Sequence, residues 1–397
     1  MSDEPSTARA GRSRKRFVWV GAGVLLVAAA AATIVVIGSD TDSDADCWGA
    51  WGGLESPWAG GEVEVSEARP SAADPRGSCE VVVTLAEDDE TWQHTLEVSY
   101  GPLPADQDEL VTWIEEHLRG DVAPLPVGLS GGVTSEHGLL VLPERCAIDG
   151  GPAVVTMTTR YSEASLGRGD ADHGSRPAGS PSHLAELLVG VARQGMSDAG
   201  CAADEDPAGE DDEAAALPTE VAPIQRVPLG SYGEGHLCGH PELPTAGQEV
   251  NLLGSRRYAD FHAWTPAVGV GDGDIGCSLA ERRPLFDTLT GELPAFGPPA
   301  SATVLLATAD PNQIRLLEAI ADGLDARPLD GWDGTALHGG PLAVATVDCG
   351  TGEPEPTRTL FAAHVASDAD WNPADLLADY QRAMAPSRDC EGVAPDA

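Results

Sequence analysis

The hydrophobic pattern changes its period several times along the chain. Residues 17–38 (FVWVGAGVLLVAAAAATIVVIG) are apolar and uncharged, and at about 1.5 Å per residue they reach roughly 33 Å, enough for a helix to cross the hydrocarbon core of a bilayer. Beyond them the pattern turns to alternation. GEVEVSE (61–67), GSCEVVVTL around Cys79 and HTLEVSY (94–100) predict three strands. Leu110, Trp113, Ile114, His117 and Leu118 then recur at i, i+3, i+4, i+7 and i+8, a helix with Gly120 to stop it. Strands are expected at HGLLVLPERC (137–146) and AVVTMTTRY (153–161). A closing helix follows, opened by Ser180-Pro181 and striped by Leu184, Leu187, Leu188 and Val191.

The same order recurs in the second half. EVNLLGS (249–255), the segment around Cys277 and ATVLLATA (302–309) read as strands; Asp310-Pro311 opens a helix carrying Ile314, Leu317, Ala321 and Leu324. GGPLAVATVDC (339–349) and TLFAAHVA (359–366) are two more strands. Asn372-Pro373 opens a last helix with Leu376, Leu377, Tyr380 and Met384. Both halves predict a β-β-β-α-β-β-α unit, which points to an internal duplication. The expected fold class is α+β: a mostly antiparallel sheet with helices on one face, built twice. The expected organisation is a tail (1–16), a transmembrane helix (17–38), an acidic spacer (39–46), a first module (47–201), an acidic Pro/Ala linker (202–230), a second module (231–391) and a short tail (392–397).

Eight cysteines support the duplication. Cys47, Cys79, Cys146 and Cys201 are spaced by 32, 67 and 55 residues, and Cys238, Cys277, Cys349 and Cys390 by 39, 72 and 41. An even number, all after the apolar segment, predicts four disulfides formed in an oxidising compartment. Each set of four allows three pairings. Neighbour pairing is favoured, Cys47–Cys79 and Cys146–Cys201 in one module and Cys238–Cys277 and Cys349–Cys390 in the other. In each module the third cysteine ends a strand, and the fourth ends the helix that returns over it.

Charge fixes the orientation and excludes a class of partners. The chain carries 64 acidic and 23 basic residues, a formal charge of −41. Arg12, Arg14, Lys15 and Arg16 precede the apolar segment while Asp40, Asp42, Asp44 and Asp46 follow it, which places the N-terminus in the cytoplasm and the bulk outside. The apolar run continues through Thr33-Ile34-Val35-Val36-Ile37, longer than a cleaved leader needs, and so reads as an uncleaved anchor. No basic stripe exists beyond residue 16 to displace counterions, so nucleic acid is excluded as a partner. A 16-residue tail is too short for a cytoplasmic signalling domain.

Several motif matches fail on their context. Gly128-Leu129-Ser130-Gly131-Gly132 has the letters of a nucleophile elbow without the strand before it and helix after it, and reads as a flexible glycine loop. GVGDGDIG (269–276) has no following helix to bind phosphate, and Asp272 and Asp274 repel it. His236-x-Cys238-x-His240 offers soft ligands, but Cys238 corresponds to Cys47 and belongs to the disulfide set. Asp40-x-Asp42-x-Asp44 lacks the glycine and closing glutamate of a calcium loop. Arg168-Gly169-Asp170 carries no weight as an adhesion tripeptide, and Trp48, Trp51 and Trp58 read as core. No catalytic, cofactor-binding or metal-ligating residue is assigned, and no cofactor is expected.

Arginine without lysine after residue 15, the basic tail ahead of Phe17–Gly38, the acidic spacer and the paired cysteines together resemble actinobacterial single-pass, membrane-anchored exported proteins of unknown function. The resemblance is one of overall plan, so no functional residue is carried over from it. The expected function is a non-enzymatic, membrane-tethered extracytoplasmic binding or scaffolding protein of the cell envelope, engaging an envelope protein or ligand. The alternatives are an envelope hydrolase whose site assembles only in the fold, and a sensor acting through a membrane partner.

Overall fold

The computed structural model describes residues 47–51, 61–87, 90–118, 123–126, 128–134, 136–163, 180–202, 217–223, 258–264, 275–282, 301–332, 335–350, 357–365, 372–385 and 390. The first half runs β1 (Glu62–Ala68), β2 (Gly77–Glu87), β3 (Glu90–Pro102), α1 (Gln107–His117), β4 (Ala123–Pro124), β5 (Ser130–Val133), β6 (His137–Val141), β7 (Ala153–Glu163) and α2 (Pro181–Asp198). Its strands form one antiparallel sheet in the order β1-β2-β3-β7-β6-β5-β4. The second half runs β8 (Tyr258–Trp264), β9 (Ile275–Arg282), β10 (Ser301–Thr308), α3 (Pro311–Gly323), β11 (Arg327–Pro328), β12 (Thr335–Gly339), β13 (Leu342–Cys349), β14 (Thr357–Val365) and α4 (Pro373–Met384). Its sheet is also antiparallel, ordered β8-β9-β10-β14-β13-β12-β11. Counted along the chain, both sheets have one strand order, with helices after the third and seventh strands.

Two expectations need correction. The first half has two strands that the pattern does not predict, β4 and β5, and the second half has three, β8, β11 and β12; residues 249–255, expected as a strand, lie outside the described residues. The helices do not share one face of their sheet. Along β6, Leu140 packs with α2 while Leu139 and Val141 pack with α1; along β7, Val155 and Met157 face α2 and Val154 faces α1. The run HGLLVL is apolar at successive positions because this part of the sheet is covered on both sides.

The helix starts follow from local chemistry. Asp106 accepts from the amides of Asp108 and Glu109 at 3.0 and 3.1 Å, Ser180 from His183 at 3.2 Å, Asp310 from Asn312 and Gln313, and Asn372 from Ala374. These side chains satisfy amides that have no partner within the helix. Proline occupies the first turn of α2, α3 and α4, where its fixed φ suits the helix and its missing N–H costs nothing.

Three apolar cores result. One lies between the first sheet and α2 and includes Trp48 and Trp51, with Leu217 and Val221 from the span read as linker packed against it. A second lies between the other sheet and α4. The third joins the halves: Leu110 and Ile114 of α1 and Ile314, Leu317 and Ile320 of α3 pack with Leu139, Val141 and Val154 of the first sheet and Leu342, Val344 and Leu360 of the second. All described residues belong to one unit.

Disulfides Cys47–Cys79, Cys146–Cys201 and Cys349–Cys390 are formed, which fits folding in an oxidising compartment. Cys238, and with it the expected Cys238–Cys277 bond, lies outside the described residues, as does 17–38. Among the described residues no helix is long and apolar enough to cross a membrane.

Candidate functional site

The first sheet is covered unequally. On one face α2 packs on β5, β6 and β7; on the other, α1 and α3 pack near β6, and among the described residues no helix covers the neighbouring faces of β1, β2 and β3. Strand alternation sends Ser66, Ser78, Glu80, Glu97, Ser99, Thr156, Thr158 and Arg160 to this side, while Val81, Leu96, Val98, Val155 and Met157 enter the core. A groove of about 580 Å³ results, floored by the sheet and walled by α1 through Glu109, Trp113, Glu116 and His117.

Register aligns the polar groups into rows. Ser66 pairs with Glu80, Glu80 with Glu97, Glu97 with Thr158 and Thr158 with His137, so one row crosses five strands. The next row holds Ser78, Ser99 and Thr156. Arg160 donates to Glu97 at 2.8 Å, and the Thr158 hydroxyl donates to Glu116 at 3.3 Å. Glu116 also lies 3.7 Å from His137 Nδ1.

His117 joins the wall to the helix behind it. Its ring stacks on Trp113 with centroids 4.8 Å apart, and its Nδ1 lies 3.0 Å from the Trp113 carbonyl. A carbonyl oxygen only accepts, so Nδ1 carries the proton and Nε2 of the neutral ring is a lone pair. That Nε2 is buried and has no hydrogen-bond partner, in a residue only 5 % exposed. Burial pushes the imidazole below its ordinary value, against the opposing pull of the Trp113 carbonyl and the Glu116 carboxylate. The neutral ring therefore prevails at neutral pH.

The other sequence candidates fall elsewhere. Ser130 opens β5 rather than lying in a flexible loop, and its hydroxyl donates to Asp310 Oδ2 of the opposite half at 2.6 Å. Gly131, at φ +147°, presses its backbone so close to β6 that a Cβ would stand 2.0 Å from the Leu139 oxygen. These residues serve a strand and an inter-half contact; the hydrogen bonds of Ser130 and Asp310 among the described residues include no histidine. Trp48 is 1 % exposed and meets Tyr100 edge-on, and Trp51 donates to the Leu187 carbonyl at 3.0 Å, so both are core. Trp58, His236, His240, residues 40–44, 168–170 and most of 269–276 lie outside the described residues. Among the described residues no group of three or more His, Cys, Asp or Glu converges as a metal site.

No motif singles out Glu80, Glu97 or Trp113 in the sequence. The available signal is alternation: in AVVTMTTRY the polar positions Thr156, Thr158 and Arg160 fall on one face, which marks a strand with one uncovered side. No protein-family model, curated protein or solved structure matches the chain.

Proposed function

We propose that the chain is a membrane-tethered extracytoplasmic binding protein of the cell envelope, held by residues 17–38 and engaging its ligand in the groove of the first sheet. The open groove carries this reading: its volume falls in the range of small-ligand sites, and its aromatic wall and aligned hydrogen-bonding groups supply contacts for a polar ligand. We further read the halves as products of one duplication, supported by their common strand order and helix positions.

Retention of envelope components by the full-length chain, compared with a Ser99→Trp variant, tests the reading. Ser99 is exposed on the groove floor, so the indole fills the groove without entering the core. Both proteins are checked for absence of free thiols. The expected result is a component held by the wild type and released by the variant; identical retention by both overturns the assignment of the groove.

A further inference from the structure

We propose that the carboxyl-terminal turn of α1 is an acid-released latch on the groove wall; release of a ligand along with it rests on the binding-protein reading above. The turn carries Trp113, Glu116 and His117 to the groove. Buried polar atoms without a hydrogen bond gather around it: Glu115 Oε1 and His117 Nε2 on the turn itself, and both ring nitrogens of His364 on β14. A buried imidazole in this condition stays neutral, and takes a proton readily only once water reaches it.

His364 shows what opening the turn achieves. It follows Leu360 and Ala362 on the face of β14 that enters the core shared with Ile114 of α1, and Glu115 is near enough to pull on its proton. Burial outweighs that pull and holds the imidazole down at about 4. His117 is lowered for the same reason, against the pull of the Trp113 carbonyl and Glu116. Closed, the turn keeps two histidines neutral. Open, it lets both take protons in mild acid, so acid favours the open form.

The remaining groups around the turn leave it free to move. On β6, His137 meets the His117 ring edge-on with centroids 6.3 Å apart and lies 3.7 Å from Glu116. On β7, Thr158 donates to Glu116, while Arg160 is taken up by Glu97 of β3. Arg358, toward the other end of β14 from His364, is bonded to Glu318 of α3, and β13 brings the apolar Leu342 and Val344. The opposite end of α1, which bears Asp108 and Glu109, is fastened separately: Asp106 caps it, and Gln107 donates to the Leu324 carbonyl after α3 at 3.5 Å. The first turn therefore stays in place while the last one opens.

Amide exchange of the full-length, fully oxidised chain, expressed as protection over the intrinsic rate, tests the proposal at neutral pH and at about pH 5. With 6.5 for the freed ring and about 4 for the buried one, His364 alone sets an expected fall in the protection of residues 114–118 of about thirtyfold, while α2 keeps its protection. The fall shrinks in His364→Leu and vanishes when His117→Phe, which keeps the stack on Trp113, is added. Unchanged protection in α1, an equal loss in α2, or a fall that survives both substitutions overturns the proposal; the comparison of α1 with α2 in the wild type stands without the variants. An envelope component released at about pH 5 by the wild type and kept by His364→Leu extends the latch to the ligand. A component kept by the wild type while α1 opens defeats that extension alone, and opening of α1 with no component held at either pH supports the latch and defeats the binding reading.

Discussion

Asp310 does two jobs with one carboxylate: Oδ1 caps α3 and Oδ2 accepts the Ser130 hydroxyl across the inter-half boundary. Ser130→Ala leaves that oxygen without its donor and is expected to lower stability by about 2 kcal/mol. Asp310→Ala loses the cap too and is expected to cost about 3 kcal/mol, both read from denaturant unfolding. His364 is 4 % exposed, on the face of β14 toward the shared core, with neither ring nitrogen partnered. Burial lowers its pKa to about 4, against an opposing pull from Glu115. Because the folded value lies below the unfolded one, the unfolded chain binds the extra proton first. Stability unaffected above the unfolded value of 6.5 is therefore lost as pH falls from there toward 4, by about 3 kcal/mol from this residue. His364→Leu is expected to flatten that part of the pH–stability curve; an unchanged slope would refute the assignment. The capping function of Asp310 is legible from Asp310-Pro311, whereas its bond to Ser130 spans 180 residues and leaves no trace in local pattern.

Elements were legible in proportion to their length and period. Most of the longer strands and the four described helices announce themselves through alternation, stripes and caps, while the seven-residue β8 does not. Strands β4 and β11 are two residues each, and β5 is SGGV; such segments hold their place through ladder bonds to a neighbour, not through propensity. The pairings Cys146–Cys201 and Cys349–Cys390 were readable because a cysteine closing a helix must meet the strand beneath it. Replacing Cys146 and Cys201 by serine opens a 55-residue separation and is expected to cost about 4 kcal/mol, measured as a fall in denaturation midpoint without loss of the other bonds. The groove was not legible, since its residues come from β1, β2, β3, β7 and α1 and meet only through sheet register.

At the scale of the whole molecule, the shared core makes the two halves one folding unit. Ile320 on α3 is fully buried among residues of both sheets. Ile320→Ala is expected to cost about 3 kcal/mol and to raise amide exchange in β6 and β13 together; a rise confined to β13 would show that the halves unfold separately. The bond between Cys47 and Cys79 has a mechanical meaning as well. Strand β1 lies inside the loop that this bond closes, so tension on the chain ahead of Cys47 bypasses β1 and enters the sheet directly at β2. A pull from the amino-terminal side thus cannot peel the edge strand first; the load falls on the interior of the sheet, where many ladder bonds must shear at once.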